Sequence, residues 1–243
     1  PLSLAAAPLA HATNLSLFAQ AQKGDYAMTV RVGQFLAYLA ITLWASSYGI
    51  AASAWSHGQT RRARVQLFRV GRYGAALLAL FAIAGLWLRG VLGFILPAYA
   101  DSLNLLLPPM LALFVWYGLL AFCTTFADLR ETPHRGAWLW AAAVGIQLTL
   151  ILADIPALAP LSVQSRVLFA SAAGAGIALV VLAPLVLWHP FRLTATSVPI
   201  ALMAVTPAAL FAPPWVVDST APLVMLGGVV LLQMMGLLVR PID

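Results

Sequence analysis

This chain contains few charged residues. Among its 243 residues, Asp, Glu, Lys and Arg together make up 8%, whereas hydrophobic residues make up 63%. A typical soluble domain carries about 25% charged residues. The low charge and the mean hydropathy of +0.95 differ from those of an ordinary soluble domain. Together they predict an integral membrane protein.

Cysteine and the common catalytic motifs are also scarce. Cys123 is the single cysteine, so the chain can form neither an internal disulfide nor a Cys-based metal cluster. The four histidines form no zinc motif, and the sequence contains no Gly-rich phosphate loop, nucleophile elbow or carboxylate pair. We therefore expect no enzymatic activity, no metal site and no cofactor, with His11 as the one residue where a cofactor stays an alternative.

Long apolar stretches take up most of the chain. Eight of them approach the ~20 residues that a helix needs to cross the hydrocarbon core. They cover residues 3–20, 26–56, 72–97, 104–127, 137–153, 167–188, 195–212 and 222–239. The sequence thus predicts an all-α, polytopic bundle of about eight transmembrane helices, in which the first and seventh segments could instead be bent or interfacial. Within the sixth, Ala170, Gly174 and Ala178 have the spacing that allows helices to approach closely.

The positive charges lie in short clusters between these segments. Such clusters are typical of topology signals and not of a nucleic-acid-binding face. If every segment spans, the largest cluster falls on the same side as Arg130, Arg135, Arg192 and Arg240, and positively charged loops face the cytoplasm. Twelve of the 13 basic residues are Arg, which is typical of a GC-rich bacterial genome. We therefore expect a multi-pass protein of the bacterial cytoplasmic membrane with both termini cytoplasmic.

Residues 57–72 contain the largest basic cluster. Leu67 and Phe68 alternate with the arginines at an approximately helical period, which predicts an amphipathic helix lying on the cytoplasmic leaflet, with these two side chains turned to the membrane or the bundle. A solvated basic loop is the alternative. The predicted membrane-surface residues are Arg61, Arg62, Arg64, Arg69 and Arg72.

Three of the polar residues inside the apolar segments are candidate functional residues that need partners. His11 and Asn14 are one turn apart on one face of the first segment, and Arg31 lies in the second. Unsatisfied polar groups in lipid cost several kcal/mol. These residues could pack against a neighbouring helix, line a polar cavity or, for His11, hold a cofactor; Arg31 could also extend to the membrane interface as an anchor.

Three stretches resemble a known family. They are GDYAMTVRVGQ at 24–34, HGQTRRARVQLFR at 57–69 and FILPAYADSLNLL at 94–106. Together they resemble the second lobe of lipid-linked oligosaccharide flippases in the MATE-like (multidrug/oligosaccharidyl-lipid/polysaccharide) superfamily. The matching positions are Tyr26, Ala27 and Arg31, then Gly58 with Arg61 and Arg62, then Pro97 with Tyr99.

The resemblance implies a six-helix lobe over residues 1–188 and two additional C-terminal helices over 189–243. It implies transport of a polyprenyl-diphosphate-linked oligosaccharide, with Arg31, His11 and Asn14 as substrate-binding residues. The chain is about half the length of such flippases, so transport would need a second membrane lobe, either a partner chain or further N-terminal sequence. The expected partners are the lipid bilayer, the lipid-linked glycan, and a second lobe or other membrane subunits. The alternative is a non-catalytic structural subunit of a larger membrane complex, which scaffolds helices or a pigment or haem.

Overall fold

The computed structural model describes residues 20–129, 133–153 and 162–182, and this part of the chain consists of helices joined by short connections. In chain order the helices are α1 (Gln20–Ser56), α2 (Thr60–Trp87), α3 (Arg89–Ile95), a 3-10 turn (Pro97–Tyr99), α4 (Ala100–Leu129), α5 (Pro133–Leu152) and α6 (Val163–Ile177), which continues into a π-helical turn (Ala178–Leu182). No described residue lies in a strand. The predicted all-α class is confirmed for these residues, while the first, seventh and eighth predicted segments and the C-terminal region 189–243 lie outside them.

The predicted third segment is divided into two helices. Helix α2 ends at Trp87, α3 begins at Arg89, and Leu88 between them serves both helix ends. Helix α3 stops before Pro97, because the residue preceding a proline is pushed out of the helical conformation. Leu96 accordingly has φ −122° and ψ 65°. Residues 72–97 are therefore not one uninterrupted helix, and their crossing of the membrane stays a prediction.

The basic stretch 57–72 differs from its prediction as well. Gly58 reverses the chain after α1 with φ 75°, a left-handed conformation that glycine adopts without steric cost. From Thr60 onward the residues are helical, and the helix runs on to Trp87 without interruption. Residues 60–72 are thus helical as predicted and not a loop, but they are the first turns of the long helix α2 and not a separate surface helix. Leu67 is buried in the bundle as expected, whereas the side chain of Phe68 lies outside the described set.

Helix α4 occupies the centre of the bundle. It contacts α1, α2, α3, α5 and α6, and 83% of its most apolar 18-residue window is buried. Its position follows from its composition, because a helix that is apolar on every side can be surrounded by other helices on every side. Pro108 and Pro109 lie within α4, and the helix continues through both.

Glycines allow three neighbouring helices to approach α4 closely. Each lies under an aromatic side chain of α4, and a Cβ atom added to it would lie 3.2 Å or less from the ring. The pairs are Gly33 of α1 with Phe114, Gly71 of α2 with Phe122, and Gly176 of α6 with Trp116. These contacts fill the middle of the bundle with side chains.

Helices α5 and α6 pack through small residues. Ala170, Gly174 and Ala178 are all buried, which confirms the close approach that their spacing predicts. A Cβ atom on Gly174 would lie 2.5 Å from the carbonyl oxygen of Ala143 in α5. The two backbones therefore touch at this point.

Two of the described helices are long and apolar enough to cross a membrane. By length and composition these are Pro97–Thr125, with a mean hydropathy of 2.0, and His134–Leu152, with 1.4. They correspond to the fourth and fifth predicted segments. The count of about eight crossings stays a prediction.

Candidate functional site

Of the three predicted substrate-binding residues, only Arg31 is among the described residues. It lies in the N-terminal half of α1 and is exposed. His11 and Asn14 lie outside the described part of the chain. Their predicted role in substrate binding together with Arg31 therefore stays a prediction.

Arg31 belongs to an exposed face of α1. The exposed residues recur at three-, four- or seven-residue spacing, which places them on one side of a helix. They are Gly24, Arg31, Tyr38, Thr42, Ala45, Ser46, Gly49, Ser53 and Ser56, with Ile50 at the edge. Because six of these carry a polar side chain, we call this set the polar face of α1. The opposite side of α1 is packed into the bundle through Tyr26, Thr29 and Val30.

Two hydroxyl groups on the polar face bond to their own helix. Thr42 Oγ1 donates to the carbonyl oxygen of Tyr38 at 2.7 Å, and Ser56 Oγ donates to that of Ser53 at 2.8 Å. Arg31 is different, because its guanidinium carries a permanent charge and five N–H donors. A helix of this kind cannot neutralise that charge by itself, so Arg31 is the residue on the face that most requires an anion or water.

The exposed face of α5 has the opposite character. Only 28% of its apolar window is buried, and Trp138 and Leu152 are 70% and 82% exposed. The exposed residues after His134 are Ala137, Trp138, Ala141, Gly145, Leu148, Thr149 and Leu152, which we call the apolar face of α5. Its one hydroxyl, Thr149 Oγ1, donates to the carbonyl oxygen of Gly145 at 2.8 Å. The surface of this helix is suited to contact with lipid tails.

The predicted membrane-surface arginines lie at the beginning of α2. Arg61, Arg62, Arg64 and Arg69 are exposed, and the side chain of Arg72 lies outside the described set. They do not all point the same way. Arg64 Cζ lies 5.8 Å from the centroid of the Trp55 ring at the end of α1, a cation–π distance. Arg62 Nη1 instead donates to Gln59 Oε1 at 3.3 Å.

No metal-binding constellation occurs in residues 20–129, 133–153 and 162–182, where no three His, Cys, Asp or Glu side chains come together. What sequence reasoning missed is the polar face of α1. Its signal is present in the sequence, since Tyr38, Thr42, Ser46 and Ser53 continue the face of Arg31 at helical spacing. Whether that face is covered by another helix depends on the packing of the whole bundle.

Comparison with protein-family models, curated proteins and solved structures finds no match to this chain.

Proposed function

We propose that this chain is a membrane transport protein that forms one lobe of a two-lobed flippase for a polyprenyl-diphosphate-linked oligosaccharide. In this proposal it is a multi-pass protein of the bacterial cytoplasmic membrane, with the α1–α2 connection on the cytoplasmic side. The observation that carries the proposal is the polar face of α1, which bears Arg31 and is left uncovered by every described helix.

A helix face that carries an arginine at membrane depth has to meet protein or water, because lipid tails offer no partner for the charge. A cavity between two lobes would supply the water. The guanidinium of Arg31 would supply the charge that a diphosphate needs, since arginine pairs with phosphate through two parallel hydrogen bonds. The filled centre of the bundle around α4 is compatible with this arrangement, because the cavity of a two-lobed transporter lies between lobes and not within one.

The test is the export of lipid-linked glycan by cells that carry Arg31→Ala. We expect a loss of export with normal membrane insertion, and partial export with Arg31→Lys, which keeps the charge and loses the paired geometry. Leu148→Ala is the matched control, because it truncates an exposed side chain on the apolar face of α5. Normal export by Arg31→Ala would contradict the proposal.

A second candidate function is a non-catalytic structural subunit of a larger membrane complex. The packing of α4 favours this structural role. Aromatic side chains of α4 pack against glycines of α1, α2 and α6, and the resulting rigid unit could scaffold other helices. In that case the polar face of α1 would bind a partner subunit. Recovery of the complex from cells separates the two functions: Arg31→Ala would weaken assembly and leave export unchanged.

A further inference from the structure

A cleft at the beginning of α2 is lined by arginines from one side of the helix. Its volume is about 890 Å³. The lining residues that matter for its chemistry are Arg61, Arg62 and Arg69, together with Gln66, Val65 and Val70. Arg64 is not part of the lining, since it turns toward Trp55.

The positive charge of this cleft is not neutralised by the described part of the chain. None of its three arginines is paired with a carboxylate from residues 20–129, 133–153 or 162–182, and the side-chain bond of Arg62 goes to the neutral amide of Gln59. The first N–H groups of α2 lie at the same place, where a helix carries partial positive charge. Three guanidinium groups around one opening therefore favour an anion with several acceptor oxygens, and phosphate is the group that arginine matches best.

The cleft is also amphiphilic, and the proposed membrane arrangement would place it at the level of the lipid headgroups. Val65 and Val70 add apolar surface beside the arginines. Helix α2 has 28 residues and is thus about 42 Å long; in the proposed multi-pass arrangement it would exceed the hydrocarbon core of about 30 Å by roughly eight residues. Because the apolar stretch of α2 follows residue 72, the excess length falls on the arginine-bearing turns. A free anion would use only the arginines, whereas a phospholipid would also contact the valines that lie beside them on the same helix surface.

We propose that this cleft is a discrete binding site for the phosphate-bearing headgroup of one anionic phospholipid. Arg62 and Arg69 donate hydrogen bonds to the phosphate oxygens, and Gln66 lies beside the glycerol portion. Val65 and Val70 contact the first methylene groups of the acyl chains. This site differs from general attraction to an anionic membrane surface, which would depend only on the number of basic residues. The lipid site requires that the protein lies in a membrane, but it does not require the transport function. The lipid-site proposal and the transport proposal can therefore fail independently.

The test uses the full chain in detergent and measures the rise in Tm as short-chain phosphatidylglycerol is added, with short-chain phosphatidylcholine as the neutral comparison. Arg69→Gln should weaken the apparent affinity about fivefold, the effect of about one arginine contact at an anionic surface. Arg64→Gln is the matched control: it removes the same charge from the same helix but lies outside the cleft, and the affinity should stay within about twofold of wild type. Arg61→Gln provides a second variant within the cleft.

Two results would overturn the proposal. If Arg64→Gln weakened binding as much as Arg69→Gln, the basic turns would act only through total charge. If inorganic phosphate or diphosphate raised the Tm at the same concentrations as the lipid and displaced it, the cleft would be a site for a free anion. Circular dichroism and gel filtration of each variant without lipid show that the fold is kept, as expected for substitutions of exposed side chains.

Discussion

Gly174 of α6 lies directly against the carbonyl oxygen of Ala143 in α5, and a Cβ atom at position 174 would be 2.5 Å from that oxygen. The atom in the way belongs to the backbone, so it cannot turn aside as a flexible side chain could. The contact therefore sets the distance between the two helices. Both helices also pack on α4, so a change in this distance would extend to the centre of the bundle.

We expect Gly174→Ala to lower the free energy of unfolding by about 1–3 kcal/mol, the usual cost of an added methyl group in a packed interior. The measurement is thermal denaturation in detergent. Gly145→Ala is the control, because Gly145 is exposed on α5 and nothing lies within 4 Å of an added Cβ atom. Alanine has a higher helix propensity than glycine, so the control substitution should leave the free energy of unfolding unchanged or raise it slightly. An equal Tm for both variants would contradict the close packing of α5 and α6.

A carboxyl group near the C-terminal end of α4 predicts a dependence on pH. Burial raises the pKa of Asp128, so the folded protein holds this proton more tightly than the unfolded chain does. The protonated carboxyl group of Asp128 therefore contributes fully to the free energy of unfolding at low pH. This contribution is lost as the pH rises through the raised pKa. A negative charge at this end of a helix is also opposed by the helix dipole.

Asp128→Asn should consequently raise the Tm at neutral pH and have no effect at about pH 3, below the ordinary pKa of aspartate near 3.9. Asp101→Asn is the matched control, since Asp101 lies in the first turn of the same helix, where a negative charge is favourable. The control should lower the Tm slightly at neutral pH. A stabilisation by Asp128→Asn that persisted unchanged at acid pH would argue against ionisation as its cause.

Orientation in the membrane can be checked with single cysteines in a Cys123→Ala background. The turn at Thr60 lies beside the arginine cluster and should face the cytoplasm, whereas Asp101, at the start of α4, should face the other side. In intact cells an impermeant thiol reagent should therefore modify Asp101→Cys and leave Thr60→Cys unmodified until the cells are opened. Labelling of Thr60→Cys in intact cells would reverse the assigned orientation.

The bounds of α4 and α5 could be predicted closely from sequence, because uninterrupted apolar runs at 104–127 and 137–153 mark them. The continuity of α2 across Gly71 could not. Glycine weakens a helix when considered alone, but here Gly71 lies against the ring of Phe122, a contact between helices 51 positions apart in the sequence. Local patterns carry no information about such a contact.

The candidate site could be predicted only in part. Arg31 is conspicuous in sequence because it is a charged residue within an apolar segment. The spacing of Tyr38 and Thr42 relative to Arg31 is visible too, but the uncovered side of α1 is decided by the positions of α2 and α4, which no local pattern contains. The separation of Arg64 from the arginines of the cleft similarly depends on the turn at Gly58, which brings Trp55 beside the first turns of α2.

The direct test of whether the polar face of α1 borders water is the reactivity of two single cysteines with a small water-soluble maleimide, in membranes and in the Cys123→Ala background. Thr42→Cys lies on the polar face of α1, and Leu148→Cys lies on the apolar face of α5; both residues are exposed on the described bundle. If a water-filled cavity covers α1 and lipid covers α5, the maleimide should modify Thr42→Cys rapidly and leave Leu148→Cys unmodified, and Arg31 would then face the same water. Protection of Thr42→Cys to the same extent as Leu148→Cys would contradict the proposed cavity.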